Sequence, residues 1–120
     1  MKIRKLGNEG LNVSAIGFGA MSITCFFGPT DDKTSQKCLA SAYDNGIDFF
    51  DTADVYGSGS SEKLIGHFLK ETKAKIKIAT KSGIQTEPIR QFNNSNEYLS
   101  DSLDKSLHRL GVDYVALFYI

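Results

Sequence analysis

Gly46-Ile-Asp-Phe-Phe-Asp-Thr-Ala-Asp-Val-Tyr-Gly-Ser-Gly-Ser-Ser-Glu-Lys-Leu-Ile-Gly-His-Phe-Leu69 reads as one complete βα unit. A helix-ending glycine opens it, and Ile47 to Asp51, with Ile47, Phe49 and Phe50 apolar, then make a short strand. A Gly/Ser loop from Gly57 to Ser60 leads into a helix whose Leu64, Ile65, Phe68 and Leu69 recur at i, i+1, i+4 and i+5 and so share one apolar face.

The same alternation continues outward in both directions. Upstream, Ala15 to Gly19 is predicted as the first core strand. A helix follows the polar cluster Gly28-Pro-Thr-Asp-Asp32, with Cys38, Leu39, Ala42 and Tyr43 inward. Downstream, Lys75 to Lys81 is the third strand, and a long polar loop leads to a helix starting near Asn94 or Ser95. There Asn94 and Glu97 have capping-box spacing. Leu99, Leu103, Leu107 and Leu110 form that helix's expected buried stripe, Gly111 ends it, and Tyr114 to Ile120 is the fourth strand. Ahead of all this, Ile3 to Leu6 and Leu11 to Ala15 flank Gly7-Asn-Glu-Gly10, a glycine-containing connection of hairpin type. Gly46-Ile-Asp is echoed by Gly111-Val-Asp, which makes Ala116 the expected counterpart of Asp51.

Strands alternating with helices predict an α/β fold with a parallel sheet. An eight-stranded (β/α) TIM barrel takes about 250 residues. Four units in 120 residues therefore predict half a barrel, with no internal domain boundary. Parallel sheets need both faces covered, so a four-strand piece taken alone is expected to self-associate through its open edges.

Composition narrows the function classes. The chain is 41% apolar and carries 14 basic and 14 acidic side chains, a formal net charge of zero. Without clustered Lys and Arg there is no electrostatic footprint for nucleic acid. The start, Met1-Lys-Ile-Arg-Lys-Leu-Gly, breaks before a secretory apolar core forms, and no run is long enough to span a membrane. Cys25 and Cys38 lack metal or disulfide-framework spacing; they are expected to be buried free thiols of a cytoplasmic protein. Asp31, Asp32 and Asp54 form no cluster of metal-ligand spacing, so no metal is expected. Gly17-Phe-Gly19 lacks the third glycine of a dinucleotide fingerprint.

Barrel active sites are built at the C-terminal ends of the strands. Asp51 closes the second strand, Tyr56 lies in the loop beyond it, and Lys81 ends the third. Each has an ordinary reading, as a turn cap, a packing ring and a solvated cation. Together they make chemical sense. A tyrosine can protonate a carbonyl oxygen when its pKa, about 10 when free, is brought toward neutrality. A unit charge at about 4 Å is worth on the order of 4 kcal/mol at an effective dielectric near 20, roughly three pKa units before desolvation opposes it. Lys81 would supply that charge and Asp51 would hold it in place. Glu62, opening its helix, is explained by the helix macrodipole. Phe26 and Phe27 are candidates for an aromatic substrate pocket.

Asp51-Thr-Ala-Asp-Val-Tyr-Gly-Ser-Gly-Ser-Ser-Glu62 resembles the signature of the aldo-keto reductase superfamily. The resemblance extends through Gly10-Leu-Asn-Val-Ser-Ala-Ile-Gly-Phe-Gly-Ala-Met21, Ile78-Ala-Thr-Lys-Ser-Gly83 and Ser106-Leu-His-Arg-Leu-Gly-Val-Asp-Tyr114. It implies that residues 1–120 are the N-terminal half of one (β/α)8 barrel domain capped by a hairpin. It also implies an NADP-dependent oxidoreductase that reduces small aldehydes and ketones. By position, Asp51, Tyr56 and Lys81 match the catalytic residues, with Tyr56 as general acid. Gly19, Ala20 and Met21, with Asp51, match the segment near the nicotinamide ribose of NADP(H).

The family's catalytic histidine is expected directly after Ile120, and Ala116 stands where relatives usually have aspartate. His67 and His108 are expected to be solvated or packing residues. The segments that would hold the cofactor's amide and 2′-phosphate are also expected beyond Ile120, so these residues alone should bind NADPH weakly. The second reading is a truncated or regulatory, channel-subunit-like relative that acts through protein contacts.

Overall fold

The computed structural model describes residues 1–8 and 10–120; the expected connection Gly7-Asn-Glu-Gly10 lies partly outside the described residues, at Glu9. On either side of it, β1 (Ile3–Lys5) and β2 (Asn12–Ser14) pair antiparallel, with Ile3 opposite Ser14. β3 (Phe18–Gly19), β4 (Phe49–Asp51), β5 (Lys77–Lys81) and β8 (Leu117–Tyr119) form a four-stranded parallel sheet in that order. Three helices connect them: α1 (Asp32–Asp44), α2 (Ser60–Thr72) and α3 (Asn96–Leu110). A 3-10 segment, Ala20–Thr24, follows β3.

The hairpin is tied to the N-terminal end of the sheet. Ser14 N–H donates to Asp48 Oδ1 at 2.7 Å, and Asp48 N–H donates to Ser14 Oγ at 3.0 Å. Burial works against the Asp48 carboxylate, but the paired Lys77 ammonium and the Ser14 amide outweigh it and hold the group below the usual aspartate range.

Strand pleating sends successive side chains to opposite faces, and this sorts the sheet into core and site. On the helix-covered face, Phe18 lies beside Phe50 and Phe50 beside Ile78. Phe50, Leu39, Ile65 and Leu110 have no accessible surface. Burying each such side chain stabilises by about 1.5–3 kcal/mol. The Phe50 and Phe68 rings stack with centroids 6.3 Å apart. α2 packs against α3 at Gly66, where a Cβ would stand 2.5 Å from the Arg109 carbonyl oxygen. Only a residue without a side chain allows two backbones that close.

Several local expectations shift. Cys25 and Cys38 are both exposed, not buried. α1 turns Ser35 and Leu39 to the core and leaves Cys38 on its exposed side. α3 buries Ser102, Ser106 and Leu110, while Leu99, Leu103 and Leu107 are half-buried. Small side chains line this face because α2 approaches it closely. The cap of α3 is Ser95, one residue after Asn94, and its hydroxyl accepts from Tyr98 N–H at 3.3 Å. The polar loop after β5 carries a hairpin of its own, β6 (Ile84–Gln85) paired antiparallel with β7 (Gln91–Phe92). The core strands are shorter than predicted. The sheet row through Asp51 and Ala79 reaches Leu117, so Ala116 is not the counterpart of Asp51.

Candidate active site

Gly19, Asp51 and Lys81 come together because parallel register aligns the strand ends: Gly19 pairs with Asp51, and Lys81 ends the neighbouring strand. The chain leaving β4 continues the ladder beyond its last strand residue. Thr52 N–H donates to the Ala79 carbonyl at 2.9 Å, and Asp54 N–H donates to the Lys81 carbonyl at 3.1 Å. Tyr56 then sits on a turn whose exit is tied to α2, since Ser61 N–H donates to the Tyr56 carbonyl. Gly57 and Gly59 take positive φ in this turn, a conformation that glycine adopts without a Cβ penalty.

Within this frame the Lys81 ammonium donates to Asp51 Oδ1 at 2.5 Å and to the Thr52 carbonyl at 2.7 Å. It lies 4.9 Å from the Tyr56 ring centroid and 5.8 Å from that of Tyr119. The Tyr56 hydroxyl makes no hydrogen bond among the described residues and is therefore open to a ligand. The predicted trio of Asp51, Tyr56 and Lys81 thus shares one cluster. Tyr119 also belongs to it, and no signal local to residue 119 marked it. Its place follows from pairing with Lys81.

The segment Gly19, Ala20 and Met21 divides. Around Gly19 a Cβ would meet nothing within 4 Å, and Met21 is half-buried. Ala20 is fully buried, and its carbonyl accepts from Ser61 Oγ at 3.0 Å. His67 faces solvent beside Glu71, and His108 is exposed. Phe26 lines a cleft shared with Tyr56; Phe27 does not.

Glu62 does more than favour a helix terminus. It is fully buried, and its two oxygens accept from Thr80 Oγ1 and from Arg109 Nε, both at 2.6 Å. Thr80 precedes Lys81 on β5 and points to the opposite face. Glu62 therefore pins, from behind, the strand that carries the Lys81 ammonium, and joins it to α2 and α3.

Asp54 lies between these two networks. Burial pushes its carboxyl above the usual aspartate range, and the nearby Glu62 carboxylate adds to this. Asp54 Oδ1 and Ser82 Oγ are buried without a hydrogen-bond partner among the described residues. Because the fold holds the Asp54 proton more tightly than the unfolded chain does, stability falls as pH rises from 3.8 through the raised folded value. Asp54→Asn is accordingly expected to raise the thermal midpoint at neutral pH, with the gain vanishing in acid below 3.8. Thermal unfolding at the two pH values checks this, and an equal gain at both would remove the carboxyl as the cause.

Among the described residues, no helix is long and apolar enough to cross a membrane. The profile of the aldo/keto reductase family matches residues 15–120. The aldo-keto reductase yakc, NADP(+), of Schizosaccharomyces pombe is 39% identical over 98% of this chain, and L-galactose dehydrogenase of Arabidopsis thaliana is 39% identical over 99%. The chain spans 35% and 37% of those two proteins' own lengths. Among solved structures, the holo form of aldo-keto reductase AKR11C1 from Bacillus halodurans superposes with a TM-score of 0.86 at 34% identity, over 98% of this chain and 39% of that one. Glycerol dehydrogenase AKR11B4 from Gluconobacter oxydans superposes with a TM-score of 0.82 at 28% identity, over 97% of this chain and 37% of its own. These relatives are (β/α)8 barrels, and the four-stranded sheet with its helices is a partial barrel of that kind. With its hairpin, its sheet order and its strand-end cluster, the chain belongs to the aldo/keto reductase family.

Proposed function

We propose that the protein is an NADP-dependent oxidoreductase that reduces aldehydes and ketones to alcohols, with Asp51, Tyr56 and Lys81 as its catalytic residues. The observation that carries this reading is the Lys81 ammonium, held by Asp51 and the Thr52 carbonyl and placed over Tyr56, whose hydroxyl has no competing partner. A carbonyl oxygen set against that hydroxyl receives the Tyr56 proton as negative charge develops on it, and the cation beside the ring favours that transfer. Asp51 keeps the ammonium in position. NADPH, when bound, supplies the hydride. The open surface at Gly19, with half-buried Met21 and Asp51 beside it, suits a ribose and nicotinamide lying across the strand ends; Ala20, without accessible surface, supports that segment from below. The yeast and plant relatives, a reductase named for NADP(+) and a dehydrogenase, favour the same chemistry.

The test is isotopic. Whole protein incubated with an aldehyde and NADPH carrying deuterium at both positions of nicotinamide C4 is expected to give alcohol with the label on its carbinol carbon. Absence of alcohol across aromatic and aliphatic aldehydes, or alcohol without label, would remove the reading.

A further inference from the structure

A cleft of about 340 Å³ opens beside Tyr56, between its loop and the β6–β7 hairpin. Met21, Phe26, Val55 and Ile84 give it apolar walls, Tyr56 stands in it, and Arg90 contributes the only cation among the described residues that line it. No acidic residue lines it, and Arg90 makes none of the hydrogen bonds or ion pairs found among the described residues. The hairpin that carries Arg90 is held in shape by side chains at its base: Asn93 Nδ2 donates to Gln85 Oε1 at 2.9 Å, and Gln85 Nε2 donates to the Glu87 carbonyl at 2.6 Å.

An apolar slot with one free guanidinium suits a ligand with an apolar body and one anionic end. The planar fork of Arg matches a carboxylate through two parallel hydrogen bonds. A phosphate dianion would call for a second cation in the lining, and none is there. We propose that this cleft holds the carbonyl substrate and that Arg90 is a specificity residue, selecting aromatic or other apolar aldehydes and ketones that carry a carboxylate. The inference rests on the reductase reading, because Tyr56 is the group that fixes where the carbonyl lies. The carbonyl oxygen meets the Tyr56 hydroxyl, the apolar body lies along Phe26 and Ile84, and the carboxylate reaches Arg90.

The test compares 4-carboxybenzaldehyde with its methyl ester, which share ring and carbonyl and differ in charge. With whole protein and NADPH, kcat/KM is expected to favour the acid by roughly tenfold, mainly through KM, as suits one charge-assisted contact at a partly solvated site. The preference should shrink as salt is added. Arg90→Gln is expected to abolish it and Arg90→Lys to retain part. Saturation-transfer NMR gives a readout without turnover: benzoate should contact the wild-type protein more strongly than benzamide, and the Gln variant should not distinguish them. Reduction of both aldehydes at equal kcat/KM by the wild type, or a preference that survives Arg90→Gln, would overturn this inference and leave the reductase reading standing. Reduction of neither by protein that reduces other aldehydes would likewise overturn this inference alone, whereas absence of turnover with every aldehyde tried would remove the reductase reading on which it rests.

Discussion

Replacing Tyr56 by phenylalanine is expected to lower kcat by roughly a hundredfold to ten-thousandfold, the range over which a positioned general acid acts, while the NADPH dissociation constant stays essentially unchanged. The change removes one hydroxyl and leaves the ring under the Lys81 ammonium, 4.9 Å from its centroid, so the cluster keeps its cation and its packing. Equal loss of kcat and kcat/KM with unchanged cofactor affinity is the signature of an interaction made only in the transition state. Steady-state kinetics alongside a fluorescence titration of NADPH separate the two quantities. If turnover of the variant matched the wild type, Tyr56 could not be the proton donor. If cofactor affinity collapsed together with turnover, the residue would hold the site's shape instead of its chemistry.

The second large effect concerns Glu62. Removing one member of a buried ion pair leaves the other without its counter-charge, at a cost of roughly 3–5 kcal/mol. Glu62 is fully buried and Arg109 mostly so; Glu62→Ala strands the guanidinium and frees Thr80 Oγ1 as well. The expected result is a lower urea midpoint with an unchanged slope. The double variant Glu62→Leu with Arg109→Met should recover most of the loss, because apolar replacements of similar volume avoid the desolvation penalty of the pair. A single variant as stable as the wild type would show that water reaches the pair and screens it. Because Thr80 adjoins Lys81, surviving Glu62→Ala protein should also turn over more slowly, through displacement of the ammonium.

Local pattern made the frame of this protein legible. Ile47 to Asp51 read as a strand because three apolar residues in five followed a helix-ending glycine and closed at a charge, and the helix after it read from Ile65 and Phe68, both of them core residues. Gly111 as a helix stop follows from its positive φ, which glycine alone adopts freely. The strand-end rule for barrels was enough to nominate Asp51 and Lys81, two residues on neighbouring strands. It could not say that the ammonium would also engage the Thr52 carbonyl or that Tyr119 would flank it. Glu62 was read as a dipole partner because its neighbours in sequence suggested nothing more. The groups that define its role lie 18 and 47 residues away.

By itself, then, the sequence determined the alternation of strand and helix, the C-terminal ends of the first three core strands, and the residue types that stand there, all of which are written in windows of a few residues. Tertiary structure decided which side chains lost their water. It buried Glu62 against Arg109, left Asp54 with an unpartnered oxygen, and turned both cysteines outward. It also set Arg90 at the rim of an apolar cleft beside Tyr56. The physical reason is that periodicity follows from the local geometry of the backbone, whereas burial and pairing depend on groups brought together only when the sheet closes its register.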